Sequence, residues 1–384
     1  MGKSTSAQSQ QVNGNVRPPS PVSSAVGMDL IVVANEEFPR RGEASMVELI
    51  SGDCLIAYSN HTGRGDNDRG HIAVTRISAE GDPLSEEVEI VASPDDGLNA
   101  TAPALRRLPD GRLGMLYSDR RAVTESYRRF IWSDDEGFSW SDPVNIDGRD
   151  PYVDGVHDRF IILESGRFIA PLVCADNWDR HYTHIRVAFS DDQGATWSVG
   201  DKIELPWIGH KYGWEGGWIG SGAGDPAIAE RADGSLYMAI RTAMGTQFCS
   251  ESYDGAETWT SPRSMEVIGL QAPACLMRIP DRADLLLIWT PNYNVRANGG
   301  GRRQTLMSAL SSSGGRSWPH RRRRLLVRDS ERMIDSPSCL FKQGEAWITV
   351  RVSEGNSFQD SLVSTGLIRA PIEWFYELPS APQN

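Results

Sequence analysis

An eight-residue box that recurs along the chain constrains its fold more than any other feature. It reads "SDDEGFSW" at residues 133–140 and "SDDQGATW" at 190–197. "SYDGAETW" (252–259) keeps Ser, Asp, Gly, Thr and Trp with the glycine moved by one, and "SSSGGRSW" (311–318) keeps Ser, Gly and Trp. The closing tryptophans, Trp140, Trp197, Trp259 and Trp318, lie 57, 62 and 59 residues apart. Periods of this order belong to propeller blades or solenoid units, each too small to bury its own apolar face. Within a box the Ser hydroxyl and Asp carboxylate can bond the amides of a turn, and the glycine supplies positive φ. The paired acids Asp134, Asp135, Asp191 and Asp192 therefore read as turn formers rather than as a catalytic or metal cluster.

A second repeat runs between the boxes: apolar strand, Gly/Asp turn, apolar strand. Its six copies start at Gly42, Thr101, His157, Gly224, Gln271 and Asp335, as in "GEASMVELISGDCLIAYS" and "GDPAIAERADGSLYMAIR". Their β-branched and aromatic content with central turn residues marks β-hairpins. No stretch keeps a helical period. A hairpin, a further strand and a boxed turn leading to an outer strand make four strands per unit. The expectation is an all-β, six-bladed β-propeller with four-stranded antiparallel blades. The runs "MDLIVVANEEF" and "LIRAPIEWFY" would share one blade and close the ring, removing its exposed edges. Residues 28–380 form that single catalytic domain, after a Ser/Gln/Pro-rich tail at 1–27 that reads as disordered.

Composition narrows the function. The formal net charge is −12, which disfavours nucleic acid and anionic membranes as partners. No apolar stretch is long enough to span a bilayer, and the tail lacks the apolar core of a signal peptide. As given, the chain reads as cytoplasmic; secretion would need a leader removed upstream. The five cysteines form no CxxC pair and read as buried free thiols. No motif calls for a metal or other cofactor, and oligomeric state is not legible.

The box Ser-x-Asp-x-Gly-x-Thr/Ser-Trp is the Asp-box, and from about Asp29 to Glu377 the chain resembles the sialidase superfamily. That resemblance implies three arginines around a substrate carboxylate, an Asp acid/base, and a Tyr nucleophile assisted by a Glu. "FPRRGEAS" offers Arg40 and Arg41 for the first arginine, with Arg41 preferred. "HTGRGDNDRG" offers Asp68, or else Asp66, as the acid/base, 27 and 25 residues after Arg41. Asp225 and Arg241, 16 apart on one hairpin, match the assisting acid and second arginine, with Asp in place of Glu. Arg303 matches the third arginine. The Tyr is not matched: "MIDSPS" puts Asp335 there.

Residues that open the inner strands of a propeller converge near one face of its channel. Glu43, His157, Asp158, Asp225 and Asp335 do so, and Arg241 and Arg351 end two second strands. Arg159 completes the polar "VHDRF". An anionic Asp335 would repel an anomeric carboxylate. It would attack a sugar lacking one, or activate water, or the site would only bind. The long segment 205–226, with Trp207, His210, Tyr212, Trp214 and Trp218, reads as an aromatic lid, Trp214 stacking on sugar. The resulting expectation is an exo-acting glycoside hydrolase on a terminal sugar, acidic or neutral, of a glycan or oligosaccharide. A uronate-cleaving polysaccharide lyase and a non-catalytic glycan-binding propeller stand as alternatives.

Overall fold

Apolar runs folded back on themselves at Gly/Asp turns have two faces to bury, and here they bury both. The computed structural model describes residues 26–146, 149–175, 183–205, 210–211, 218–219, 222–291 and 302–377. Every residue of strand Cys54–His61 is buried, because its sheet packs against another on each side. Among the described residues the chain is all-β, with two short 3-10 turns and no α-helix. No helix there is long and apolar enough to cross a membrane. The strand pairings are antiparallel apart from three single parallel bridges, Arg40–Val363, Gly70–Asn99 and Tyr152–Ser126, and among the described residues no sheet closes on itself.

Among the described residues the pairings sort the strands, apart from the separate pair His210–Lys211 and Trp218–Ile219, into six antiparallel units in chain order. The first unit comprises Arg40–Glu48, Cys54–His61, Gly70–Ile77 and Val88–Val91. The second comprises Asn99–Arg107, Leu113–Ala122, Glu125–Ser133 and Val144–Ile146. In the third the inner strand is broken into Tyr152–Asp154 and Ile161–Ile162, beside Phe168–Ala175, His184–Ser190 and Ser198–Val199. The fourth runs from Gly224–Glu230 through Leu236–Arg241 and Thr246–Ser252 to Arg263–Ile268. The fifth holds Cys275–Arg278, Leu285–Trp289, Thr305–Ser311 and Arg323–Arg328. The sixth holds Ile334–Lys342, Glu345–Ser353 and Val363–Pro371, with N-terminal Met28–Val32 as its outer strand.

The core lies between the units. Phe130 of the second packs with Phe160 and Phe168 of the third. Ile185 of the third packs with Met238 of the fourth, and Tyr237 of the fourth with Leu287 of the fifth. Ile288 joins Ile348 between the fifth and sixth, and Leu55 joins Met115 between the first and second. A sixth cluster sets Trp347 and Leu367 of the last unit against Ile56 and Tyr58 of the first. All five cysteines are free and buried.

The boxes are turns at the seams. Ser190 Oγ donates to Asp192 Oδ1 at 2.8 Å and accepts the Gly194 amide at 2.9 Å, while Asp192 accepts the Thr196 amide at 2.8 Å. "SSSGGRSW" keeps the geometry with Ser313 replacing the Asp, accepting the Ser317 amide at 3.0 Å. Gly194 has φ +88°, and a Cβ there would lie 2.2 Å from Phe130 of the preceding unit. Trp197 stacks edge-on to the same ring at 5.7 Å. Ser190→Ala would orphan the Gly194 amide at this seam, at a cost of about 1–3 kcal/mol. A urea midpoint unchanged from wild type would contradict that.

Candidate functional site

The inner strands share a local device that aims side chains inward. Their pairing slips by one residue between Gly42 and Ser45, Thr101 and Ala104, Gly224 and Ala227, and Asp335 and Ser338. At each bulge a non-glycine residue has positive φ: Glu43 at 58°, Ala102 at 54°, Asp225 at 43° and Ser336 at 53°. Asp158, in the broken inner strand of the third unit, has φ 59°. Such positions cost about 1–3 kcal/mol each and persist where surrounding structure imposes them. Three of them precede proline, a context that normally favours extended backbone.

The bulges surround a cavity of about 520 Å³ whose lining includes Glu43, Asp66, His157, Asp225, Arg241 and Arg351. Arg40, Arg120 and Arg303 also line it, so five guanidinium groups face it together with the carboxylates of Glu43, Asp66, Asp154 and Asp225. Arg40 Nη2 bonds Glu43 Oε1 at 2.7 Å, and its Nη1 bonds Asp66. Arg351 Nη1 reaches the same Glu43 oxygen at 3.1 Å. Burial would raise the Glu43 carboxyl, but Arg40 and Arg351 hold it well below the usual carboxylate range. Arg40 likewise lowers Asp66. Arg241 Nη1 lies 2.7 Å from Asp225 Oδ2.

Two histidines at the cavity are neutral near pH 7. Burial, reinforced by Arg159, pushes His157 down to about 4, and burial with Arg40 pushes His61 to about 4. His157 Nε2 lies 3.0 Å from the Ser336 carbonyl. A carbonyl only accepts, so the neutral ring carries its proton there and keeps a lone pair on Nδ1. Tyr152 donates to Asp154 Oδ2 at 2.8 Å, and burial and that acid raise its phenol well above the ordinary value.

Several expected residues stand elsewhere. Arg41 does not line the cavity; it bonds the Val33 carbonyl at 3.2 Å and Glu87, because adjacent strand residues point to opposite faces. Arg40 takes its place. Asp68 turns back on its own loop, accepting the Gly65 amide at 2.7 Å, and leaves Asp66 at the cavity rim. Asp335 is fully buried beneath the lining and cannot be approached as an attacking group. Arg351 clamps it through Nε and Nη2 at 2.9 Å each, and Arg303 binds it too. Burial raises its carboxyl, but the two guanidinium groups overcome that and hold it far below the usual range.

Asp158 and Arg159 are floor bolts rather than lining groups. Asp158 accepts Ser45 Oγ at 2.8 Å, Arg106 at 2.6 Å and the Cys339 amide at 3.2 Å, so it ties the first, second and sixth units together. Arg159 donates to the Ala274 and Pro337 carbonyls at 2.7 and 3.0 Å. Both turn away from the cavity because these buried partners lie below it. Trp214, with Trp207 and Tyr212, lies outside the described residues. Arg120, His61, Tyr152 and Asp154 were missed. Arg120 pairs with Asn99, two positions beyond Ser118, which holds the register that Arg241 holds opposite Gly224, so equivalence of strand ends does not point to it.

The family model of BNR repeat-like domains matches residues 45–348. A protein of unknown function from Dyadobacter fermentans superposes with a TM-score of 0.69 at 15% identity, covering 90% of this chain and 98% of that one. An intramolecular trans-sialidase from Ruminococcus gnavus gives 0.67 at 13%, covering 90% and 99%. The NanB sialidase from Streptococcus pneumoniae gives 0.67 at 12%, covering 90% and 71%. These identities establish the fold alone. No curated protein matches the chain.

Proposed function

Because the chain belongs to the BNR repeat-like domain family and has the fold of the sialidases, we propose that its cavity is the active site of an exo-acting glycoside hydrolase. The six units are then six blades of a propeller, a reading supported by the apolar clusters that follow one another from unit to unit. One observation carries the catalytic reading. Glu43, at the bulge of an inner strand, and Asp66, on the loop after the next strand, both reach the cavity and bond the two terminal nitrogens of one guanidinium, Arg40.

Sharing one guanidinium brings the two carboxylates together, as in a retaining pair, whose members stand ~5–5.5 Å apart without room for a water between them. Asp66, 76% exposed at the rim, is the acid/base, and Glu43, 19% exposed deeper in, is the nucleophile. A Glu43 oxygen bonds to the anomeric carbon as the glycosidic C–O bond breaks, and the Asp66 proton passes to the departing oxygen. Water then attacks the same carbon, gives its proton to Asp66 and releases Glu43. Asp335 acts as a positioning residue for Arg351 and Arg303.

The test is a panel of chromogenic α- and β-glycosides, including sialosides and uronides, with proton NMR of the first-formed anomer. Turnover with retention is expected. No turnover on any glycoside, or inversion, would overturn this assignment of the pair. The neutral His157, with its lone pair on Nδ1, favours one second reading: a lyase that removes a proton beside a uronate carboxylate. Ultraviolet absorbance from an unsaturated sugar would mark it.

A further inference from the structure

The cavity charges form a continuous alternating chain: Arg303, Asp335, Arg351, Glu43, Arg40, Asp66. Its middle is largely withdrawn from solvent, and its two ends are open and of opposite sign. At one end Arg303 is 24% exposed, joined by Arg241 at 28%, against 7% and 8% for Arg40 and Arg351. At the other end stand Asp66 and, one step in, Glu43. The cationic end belongs to the fourth and fifth units and the carboxylate end to the first. The inner strand of the first unit packs on those of the second and sixth, and that of the fourth packs on the inner strand of the fifth and on Phe168–Ala175 of the third. The two ends therefore face each other across the cavity.

We propose that the acidic sugar taken here is a hexuronide, whose carboxylate stands on a ring carbon away from the anomeric one. The inference rests on the hydrolase reading and names its substrate class. Chemistry occurs at Glu43 and Asp66, and the nearest cation, Arg40, is already shared by both carboxylates. A carboxylate carried on the anomeric carbon would have to displace one of them and lie against the other, where like charges repel in a partly desolvated space. In a hexuronide the carboxylate projects from C5, across the ring oxygen from C1. It can meet Arg241 and Arg303, whose planar guanidinium groups suit bidentate pairing, while C1 faces Glu43. Asp225 is the group it must displace from Arg241.

The experiment compares kcat/KM for 4-nitrophenyl glucuronides and galacturonides of both anomers, the matching neutral hexosides, and a 4-nitrophenyl sialoside. The uronides are expected to exceed both other classes by at least about 100-fold, since a site built around a polar group rejects analogues lacking it by up to about 10⁴–10⁵-fold. Arg241→Gln should narrow the uronide-to-hexoside ratio about 10- to 100-fold. Calorimetry with free glucuronic acid, glucose and sialic acid on the full-length wild-type protein repeats the comparison without turnover; glucuronic acid should bind tightest. Sialoside turnover equal to or above that of the uronides overturns the proposal. Preference for neutral hexosides overturns it too, while leaving the hydrolase reading standing. Uronide cleavage with ultraviolet absorbance supports the substrate class and overturns the hydrolysis.

Discussion

Asp335→Ala is expected to cost about 3–5 kcal/mol of folding stability, the largest effect of any single substitution considered. The carboxylate is fully buried, and it is the only acid bonded by both Arg303 and Arg351 among the described residues. Removing it leaves guanidinium charge facing a cavity in the protein, with Arg351 still held by Glu43 and the face of the Phe358 ring. Asp335→Asn keeps the volume but not the charge and should fall between alanine and wild type. Urea denaturation measures both. The pH dependence has a definite sign. The folded-state carboxyls of Asp335 and Glu43 are depressed, so their stabilisation is present above the unfolded value of about 4 and is lost as pH falls below it. Wild type should therefore lose stability steeply on acidification, and Asp335→Asn less so. Equal midpoints for Asp335→Ala and wild type would show that the ion chain does not hold the cavity together.

Asp66→Asn is expected to lower kcat by 10²- to 10⁴-fold, roughly the range for loss of a general acid/base, with little change in stability. The side chain is 76% exposed and its ion pair with Arg40 is a rim contact, worth about 0–1 kcal/mol. Asp68→Asn, two residues on, should stay within a few-fold of wild type, since Asp68 faces Gly65 and not the cavity. Arg40 lowers the Asp66 carboxyl, so the free protein holds it ionised at neutral pH. The acid form needed for the first step is populated only as pH falls toward and below about 4. For glycosides whose leaving group needs protonation, kcat/KM should rise on acidification until the ion chain itself titrates. His61 and Asn99 also face this loop: the ring contacts the Asp68 carbonyl at 3.4 Å, and Asn99 donates to the Asp66 and Asp68 carbonyls at 2.9 Å each. In that window Asp66 gains its proton while the buried His61 and His157 also begin to charge as pH passes about 4, so the rise is read against Asp66→Asn, which keeps both histidines and loses the carboxylate. Full activity in Asp66→Asn would remove it from the mechanism.

Much of the architecture was legible because repeats repeat their physics. Four boxes with a common spacing located four seams. Six hairpins with Gly/Asp turns located the inner pairs of strands, the third excepted, where the polar "VHDRF" interrupts the inner strand. Arg241 and Arg351 stand at equivalent register, opposite the residue directly before the bulge, whereas Arg120 lies two positions beyond the equivalent Ser118 and carries no such signal. Arg40 against Arg41 is a choice between neighbours on one strand, where a shift of one position reverses the face a side chain occupies. Asp66 against Asp68 is a choice within a loop, decided by the bond that turns Asp68 back on the Gly65 amide. A bulge adds another reversal that composition does not signal.

The sequence by itself determined the class of fold, the places of the turns and the inventory of charges near the cavity, because those follow from local periodicity and residue type. Which charges meet was decided only by the tertiary structure. Asp335 and Asp66 are both acids on polar segments, yet one lies buried under two arginines and the other stands open at the rim. Their difference comes from partners 16 to 32 residues away for Asp335 and 26 for Asp66. Electrostatic environment depends on distance through space and on access to water, and neither is written in the order of the residues.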